Sequence, residues 1–433
     1  SAKSKLAYIE IKAKEKGYPL YLIIDEYDNF TNVILSEHGQ QMFHDLTHAS
    51  GFYREYFKQF KGMFDRIFMM GVSPVTLDDL SSGYNIDWNI SVDPRFNAMM
   101  GFDETEVREM FHYYQQNDML NGDVEAMIAE MKPWYDNYCF ARKSLDDDRV
   151  FNCDMTLYYL RWQVDFHRAP EEMVDKNIRT DYSKLKMLAR IDRDSVQEGD
   201  RMSTIEKIAA EGDIFVDLHT SFPAERITDI DNFRSLLYYY GLLTMCGTRG
   251  DLIKMSIPNN CVREQYFGFL RDYYQKYSSI DLHYLNVMLT DMAYDGRWKP
   301  FFESVAQAYR ENSAVRDAME GERNLQGFLK AYLALASYYL VEPELEMNYG
   351  YCDFFLLPDK KRYPDVKHSY ILELKYATRT ATDAELEVQA LEGRNQLLQY
   401  SEDKIVRCLS EGTTLHRLLL QFRGWDLVRC EEV

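Results

Sequence analysis

The chain has 433 residues, enough for two or three domains with sizeable cores. Apolar residues make up 46% and charged residues 28%, a globular balance that argues against collagen-like, coiled-coil and disordered chains. Acidic side chains outnumber basic ones by 70 to 50, and the net charge of −20 argues against nonspecific adhesion to nucleic acid over the whole surface.

The sequence has no apolar run long enough to cross a bilayer, and its opening residues do not resemble a secretory leader. Its seven cysteines are odd in number and form no CxxC pair, which favours a reducing compartment. We therefore expect a soluble, cytoplasmic protein with no membrane partner.

The N-terminal part predicts an α/β layer. A helix up to residue 16 is followed by the apolar run 20–25, which is typical of a strand buried on both faces of a parallel sheet. A helix at 34–60 and a second buried strand at 66–72 come next. Strand, helix and strand in this order indicate a right-handed crossover.

The middle part is predicted to be mainly helical, and the last part returns to an α/β pattern with a mixed sheet. The pattern predicts domain borders near 140 and 300, and so domains at 1–140, 141–300 and 301–433. The predicted middle elements are helices at 104–117, 123–132, 154–163, 203–211 and 231–240 and a strand at 252–257. The predicted C-terminal elements are helix 322–341, strands 351–357 and 370–376, helix 383–400 and a strand near 417–428.

Two C-terminal strands each carry an acid. Side chains alternate along a strand, so Asp353 is expected in the same row as Phe355. On the next strand Glu373 and Lys375 share a face. The preceding helix adds Glu322, which falls on one stripe with the apolar side chains of Leu325, Leu329, Leu333 and Ala336. Glu322 is therefore expected to point toward the sheet unless the helix begins after it.

Carboxylates that converge on a partly buried site repel one another and are poorly solvated, and a divalent cation relieves both problems. Such an ion would also activate water for attack on a phosphate. Lys375 would orient or deprotonate that water and screen the developing negative charge. An acid followed by Glu-x-Lys on the next strand is therefore typical of phosphodiester cleavage, although a Glu and a Lys on one strand face also occur on solvated surfaces.

Four C-terminal segments resemble a known family: GERNLQGFLKAYLAL, NYGYCDFFLL, YILELKYA and ALEGRNQLLQY. They resemble the PD-(D/E)xK nuclease domain, of restriction-endonuclease-like fold, that follows an AAA-ATPase-like domain in a large bacterial family. The resemblance implies Asp353 and Glu373 as ligands of Mg²⁺ or Mn²⁺ and Lys375 as the catalytic lysine. It further implies Glu322 as the helix acid and Gln396 as the glutamine of the following helix. Tyr351 and Cys352 depart from the basic or small residues usual before the Asp.

The N-terminal segment LIIDEYDNF has the form of a Walker B motif, with Asp25 and Glu26 at the end of an apolar strand, although acids in that position are also common in solvated turns. GVSPVTLDDLSSGYNI resembles the same AAA-ATPase-like family and implies Ser73 near the sensor position.

A GxxxxGK[ST] phosphate-binding loop is missing from the sequence. We therefore expect a truncated AAA-like P-loop domain that does not bind ATP tightly, with ATP a cofactor only in a complete relative. The strand at 66–72 would then keep an open edge, which an oligomer or a partner would cover.

Two functions remain open from the sequence. The first is a metal-dependent nuclease that hydrolyses DNA phosphodiester bonds. The second is a noncatalytic regulatory or interaction protein with degenerate ATPase and nuclease folds.

Overall fold

A computed structural model describes most of the chain outside the N-terminal quarter. The described residues are 2–28, 60, 63–72, 74, 88–147, 149–175, 185, 188–189, 198–222, 226, 229–275, 280–311, 321–335, 338–347, 350–360 and 362–433.

The described N-terminal residues form a helix and two paired strands. Helix α1 (Ala2–Lys16) precedes β1 (Tyr21–Ile24), which pairs in parallel with β2 (Arg66–Met69). Nearly all of the helix predicted at 34–60 lies outside the described residues. The expected burial of β1 on both faces is wrong, because Tyr21 and Ile23 are 64% and 70% exposed. The partner or oligomer that would cover the sheet edge remains a prediction.

The middle part is mainly helical, as predicted, and includes a small antiparallel sheet. Its helices are α2 (Glu104–Gln116), α3 (Val124–Tyr135), α4 (Cys153–Phe166), α5 (Glu198–Glu211), α6 (Ile230–Tyr239), α7 (Asn260–Gln275), α8 (Leu282–Asp295) and α9 (Lys299–Glu311). The sheet contains β3 (Asp213–Val216), β4 (Thr244–Arg249) and β5 (Leu252–Ser256) in the order β3-β5-β4. Of these strands, the sequence pattern predicts β5 alone.

The C-terminal part is built around a mixed five-stranded sheet, which confirms the predicted α/β class. Its helices are α10 (Glu322–Leu333), α11 (Asp383–Glu402) and α12 (Lys404–Leu409). Its strands are β6 (Tyr339–Met347), β7 (Gly350–Pro358), β8 (His368–Ala377), β9 (Thr414–Arg423) and β10 (Asp426–Glu432), in the order β10-β9-β8-β7-β6. β8 and β9 are parallel and are joined by α11 and α12, whereas the other neighbours are antiparallel.

Two strands of this sheet differ from the predicted elements. β6 overlaps the end of the helix that the sequence pattern predicts at 322–341, and its remaining residues, which include Pro343, carry no strand prediction. Proline is tolerated there because β6 is an edge strand. The single strand predicted near 417–428 is a hairpin of β9 and β10, with Gly424 at φ 60 in its two-residue turn.

The two faces of the C-terminal sheet pack against different helices. Leu372 and Leu374 of β8 belong to the largest core cluster, which also contains residues of the middle helices. Ile371 faces the other side and packs with Ala390 and Leu397 of α11. The predicted domain borders near 140 and 300 stay predictions. Among the described helices, none is long and apolar enough to span a membrane.

The hairpin turn gives a test of the fold. Gly424→Ala places an L side chain in the left-handed region and close to Arg379, so we expect a loss of about 1–2 kcal/mol in the free energy of unfolding. Urea unfolding followed by circular dichroism measures it. Gly247→Ala is the control, because its Cβ would meet Lys254 at an ordinary 3.6 Å. Equal stability of wild type and Gly424→Ala would contradict the turn geometry.

Candidate active site

The two central strands of the C-terminal sheet stop pairing at Asp353. β7 and β8 are in register at Phe354↔Leu372, and one further step would place Asp353 opposite Glu373. Instead the backbone N–H of Leu374 donates a 2.7 Å hydrogen bond to Asp353 Oδ2. The Asp353 carboxylate thus accepts a hydrogen bond from a backbone N–H where the pairing of β7 and β8 ends. This hydrogen bond fixes the carboxylate beside β8.

The regular alternation of β7 breaks at the same place. Cys352 and Phe355 lie three positions apart and would face opposite sides of a regular strand, yet both pack in the cluster against α11. Asp353 instead reaches Gln326 on α10, which packs on the other face of the sheet. The expectation that Asp353 continues the row of Phe355 is therefore wrong.

Glu373 and Lys375 form a buried ion pair on β8. Glu373 is 3% exposed, and Lys375 Nζ lies 2.7 Å from its Oε1. Burial raises the pKa of Glu373 to about 7, and the negative charge of Asp353 acts in the same direction while Lys375 opposes it. Burial likewise raises the pKa of Asp353 to about 6. Two carboxylates thus share a poorly solvated space with one nearby ammonium group.

Helix α10 carries a line of polar side chains, and two of them, Gln326 and Lys330, act on Asp353. Glu322, Gln326 and Lys330 are spaced four residues apart and therefore lie on one side of the helix. Gln326 Nε2 donates to Asp353 Oδ1 at 3.1 Å. Lys330 is 1% exposed, donates to the carbonyl of Ala210 in α5, and lowers the pKa of Asp353 by its charge.

Glu322 is placed differently from its prediction. It is the first residue of α10 and its side chain is exposed, whereas Leu325, Leu329 and Leu333 of the same predicted stripe are buried. Because the helix begins at Glu322, this carboxylate lies at the rim of the site and does not point into the sheet. Its negative charge still raises the pKa of Asp353.

Helix α11 approaches the acids closely through a glycine. A Cβ added to Gly393 would lie 2.7 Å from Leu419 Cδ1 and 3.4 Å from Lys375 Cε. One turn further on, Gln396 forms a side-chain hydrogen bond with Tyr400. Burial and the negative charge of Glu373 raise the pKa of Tyr400 to about 12.

Two buried oxygens in this region lack a hydrogen-bond partner within the described residues. They are Glu373 Oε2 and Gln396 Oε1. A buried carboxylate oxygen with no donor is costly, and a divalent cation would satisfy it. An all-oxygen set suits Mg²⁺ or Mn²⁺. No group of three His, Cys, Asp or Glu side chains in the described part of the chain is placed to hold a metal, but Mg²⁺ needs only one or two carboxylates with waters and phosphate oxygens.

The predicted N-terminal site residues lie elsewhere in the chain. Asp25 and Glu26 follow β1 and are exposed, and Glu26 has a positive φ of 50° with its N–H donating to Asp25 Oδ1 at 2.9 Å. The buried acid here is Asp28, which accepts hydrogen bonds from the Val72 N–H at 3.1 and 3.2 Å and so ties the ends of β1 and β2 together. Ser73 lies outside the described residues.

Known families match both ends of the chain. Residues 320–432 match the PD-(D/E)XK nuclease superfamily, and residues 1–81 match a predicted AAA-ATPase family. The chain is thus similar to an AAA-ATPase family at its N-terminal end and to a nuclease superfamily at its C-terminal end. This order confirms the architecture predicted from the sequence resemblance. No curated protein gives a significant match to the chain.

Three site residues were not found from the sequence: Gln326, Lys330 and Gly393. The spacing of Gln326 and Lys330 from Glu322, at four and eight positions, is a visible signal of a shared helix side. The close approach at Gly393 depends on how α11 packs on β8 and β9, and a sequence pattern does not contain that distance.

Substitution of Gly393 tests the helix contact. Gly393→Val adds a branched side chain against Leu419 and Lys375, so we expect a loss of about 1–3 kcal/mol in the free energy of unfolding. Glu392→Val changes the neighbouring exposed position by the same residue and controls for helix propensity. If the two variants unfold at the same urea concentration, α11 does not approach the sheet as closely as described.

The raised pKa of Glu373 predicts a stabilising substitution. Above pH 7 the folded protein holds this carboxylate ionised at a cost, whereas in the unfolded chain it ionises freely near pH 4. Glu373→Gln should therefore raise the free energy of unfolding of the metal-free protein at pH 8, by an amount on the order of 1–3 kcal/mol.

The same gain should be smaller at pH 5.5, where the folded protein holds Glu373 protonated while the unfolded chain ionises it, and should vanish only below about pH 4. Thermal unfolding in the presence of a chelator measures both values. Glu392→Gln, an exposed acid on α11, should change stability little at either pH. A Glu373→Gln variant that is less stable than wild type at pH 8 would contradict the buried, unfavourable charge.

Proposed function

We propose that the C-terminal domain is a metal-dependent nuclease that hydrolyses phosphodiester bonds, with DNA as its substrate. The observation that carries the proposal is the buried Glu373 Oε2, which lacks a hydrogen-bond partner although Asp353 and Lys375 lie beside its carboxylate. The match of residues 320–432 to a nuclease superfamily supports a nucleic-acid substrate.

In this proposal Asp353 and Glu373 hold the cation. The Leu374 N–H and the Gln326 amide occupy one lone pair on each oxygen of Asp353 and so fix its orientation. Glu373 is fixed through Oε1 by Lys375, which leaves Oε2 as its free ligand atom. When bound, Mg²⁺ or Mn²⁺ supplies charge stabilisation at the attacked phosphate and lowers the pKa of water.

Lys375 and the two helices complete the proposed site. The Lys375 side chain is 19% exposed, so it can reach a substrate while staying beside Glu373. Its ammonium group orients the attacking water and screens the negative charge that develops on the phosphate oxygens. Gln396 offers a carbonyl oxygen that has no partner in the described structure, and Glu322 lies at the rim where a substrate would enter.

The alternative function is noncatalytic, with the nuclease fold used as a binding surface. The exposed position of Glu322 favours it, because the predicted third acid is not held inside the site. This alternative predicts that the protein binds nucleic acid or another partner without cleaving it. The N-terminal residues Asp25, Glu26 and Ser73 stay predicted nucleotide contacts that require a phosphate-binding loop.

Cleavage assays test the proposed function. We expect the purified chain with Mn²⁺ to cleave DNA, and a chelator to abolish cleavage. Asp353→Asn and Lys375→Met should each lower the rate by about 100-fold or more, because each removes a charged group that acts on the transition state. Single-stranded and double-stranded DNA and RNA, incubated side by side, identify the substrate.

Two controls separate site effects from surface charge. Lys404→Met and Asp383→Asn make the same chemical changes at exposed positions of α12 and α11, and should leave the rate unchanged. Equal cleavage by wild type and both site variants would indicate a contaminating nuclease. No cleavage by a wild-type protein that binds Mn²⁺ would favour the noncatalytic alternative.

A further inference from the structure

The carboxyl ends of the parallel strands β8 and β9 lie at the same end of the sheet as the candidate active site. The two strands pair in register as far as Ala377 and Arg423, and the Gly424 N–H donates to the Ala377 carbonyl at 2.8 Å. Lys375 is two residues before the last residue of β8. Ligands of α/β sheets commonly bind outside the carboxyl ends of parallel strands. A substrate would therefore approach Lys375 from this end.

Arg379 lies across the turn between β9 and β10. Its Cζ atom is 3.3 Å from the centroid of the Trp425 ring. Gly424 permits this contact, because a Cβ at that position would lie 2.5 Å from Arg379 Cγ. Arg379 is exposed, and stacking on an indole orients a guanidinium group before a ligand arrives. The structure thus presents a fixed positive charge at this end of the sheet.

The segment that carries Arg379 contains groups that suit phosphate and contains no acid. Residues 378–382, which we call the strand-end loop, read Thr-Arg-Thr-Ala-Thr. Hydroxyl and guanidinium groups are among those that contact phosphate oxygens in nucleic-acid complexes. Thr378 and Thr380 are exposed, and their hydroxyl oxygens are 3.1 Å apart. In a chain with a net charge of −20, such a loop is a local surface that a polyanion can approach.

Arg423 adds a second cation on the face of the sheet that carries Lys375. Gln421 donates to the carbonyl of Leu386 in α11, so alternation along β9 places Arg423 on the α11 face. Lys375 pairs in register with Gln421 and lies on that same face. One strand spacing and two residues separate Lys375 from Arg423, which puts their Cα atoms roughly 8 Å apart. One nucleic-acid strand is therefore able to contact both side chains.

The acids beside the loop have partners of their own. Arg310 Nε lies 3.2 Å from Asp426 Oδ1, and Glu385 accepts hydrogen bonds at the start of α11. Arg423 Nη1 lies 2.9 Å from Asp383 Oδ1, and the Asp383 side chain is 94% exposed. An ion pair this exposed contributes little, and it leaves Nε and Nη2 of Arg423 for a phosphate group.

We propose that the strand-end loop and Arg423 bind the phosphate backbone of a nucleic-acid strand and lead it to Lys375. The proposal rests on the proposed nuclease function, which supplies the substrate class. Arg379 makes the outer phosphate contact, and Arg423 makes the contact nearer to Lys375. Contacts to phosphate carry no sequence information, so this surface binds DNA without regard to its sequence.

Binding of fluorescein-labelled DNA to the full chain, followed by anisotropy over a series of salt concentrations, tests this surface. A chelator prevents metal-dependent cleavage during the measurement. We expect Arg379→Gln combined with Arg423→Gln to raise the dissociation constant about 10-fold and to lower the slope of log affinity against log salt by about 1.5. Lys404→Gln combined with Arg407→Gln removes the same charge from exposed positions of α12, at the other end of β9, and should change neither value.

Two single substitutions keep the test independent of folding defects. Arg379→Lys keeps the charge but loses the planar group that stacks on Trp425, so we expect an unchanged salt slope and a smaller loss of affinity than with Arg379→Gln. If the double variant does not fold, Arg423→Gln alone should still lower the salt slope by about 0.8.

Two results would overturn the phosphate-binding surface. One is a wild-type chain that does not bind DNA at low salt. The other is equal affinity and equal salt slope in wild type and in the double variant. Cleavage by wild type together with unchanged binding in the double variant would leave the nuclease function standing without this surface. Binding that the double variant loses, in a chain that never cleaves, would support the surface and contradict the nuclease function.

Discussion

The burial of two carboxylates beside one ammonium group is the constraint on which the C-terminal site depends. Asp353 and Glu373 both have raised pKa values, because the sheet and two helices remove water from them. A fold does not gain stability from such an arrangement, since each ionised acid is costly to bury and Lys375 neutralises only one charge. The proposed binding of a divalent cation would make use of ionised oxygens that lie close together.

The surrounding elements are arranged to keep these groups in place. Where the pairing of β7 and β8 ends, the backbone N–H of Leu374 donates to one oxygen of Asp353, and the Gln326 side-chain amide of α10 donates to the other oxygen. Gly393 lets α11 lie close to the Lys375 stem. Lys330 of α10 donates to the Ala210 carbonyl of α5 while its charge acts on Asp353, so the helical middle part helps to position a charge of the site.

The sequence predicted what depends on local periodicity and on residue type. The alternating strand residues located Glu373 and Lys375 on one face, and the apolar stripe of α10 was correct at Leu325 and Leu329. The family resemblance predicted the two-part architecture, which the matches at both ends confirm. These features depend on residues that are close together in the sequence, and they can therefore be predicted from it.

What the sequence missed depends on contacts between elements. Whether Pro343 can lie in a strand depends on that strand being at the edge of a sheet, and the side to which Asp353 turns depends on where the ladder ends. The contact of His368 Nδ1 with His416 Nε2 joins side chains 48 positions apart on the parallel strands β8 and β9. Such distances are set by packing, and neither helix nor strand periodicity contains them.

The most direct test of the proposed metal site is a crystal of the chain soaked in Mn²⁺ and measured at a wavelength where manganese scatters anomalously. We expect an anomalous peak in contact with carboxylate oxygens of both Asp353 and Glu373, with Oε2 of Glu373 among its ligands. A well-ordered site with both carboxylates visible and no peak between them, at a saturating Mn²⁺ concentration, would contradict the proposed centre.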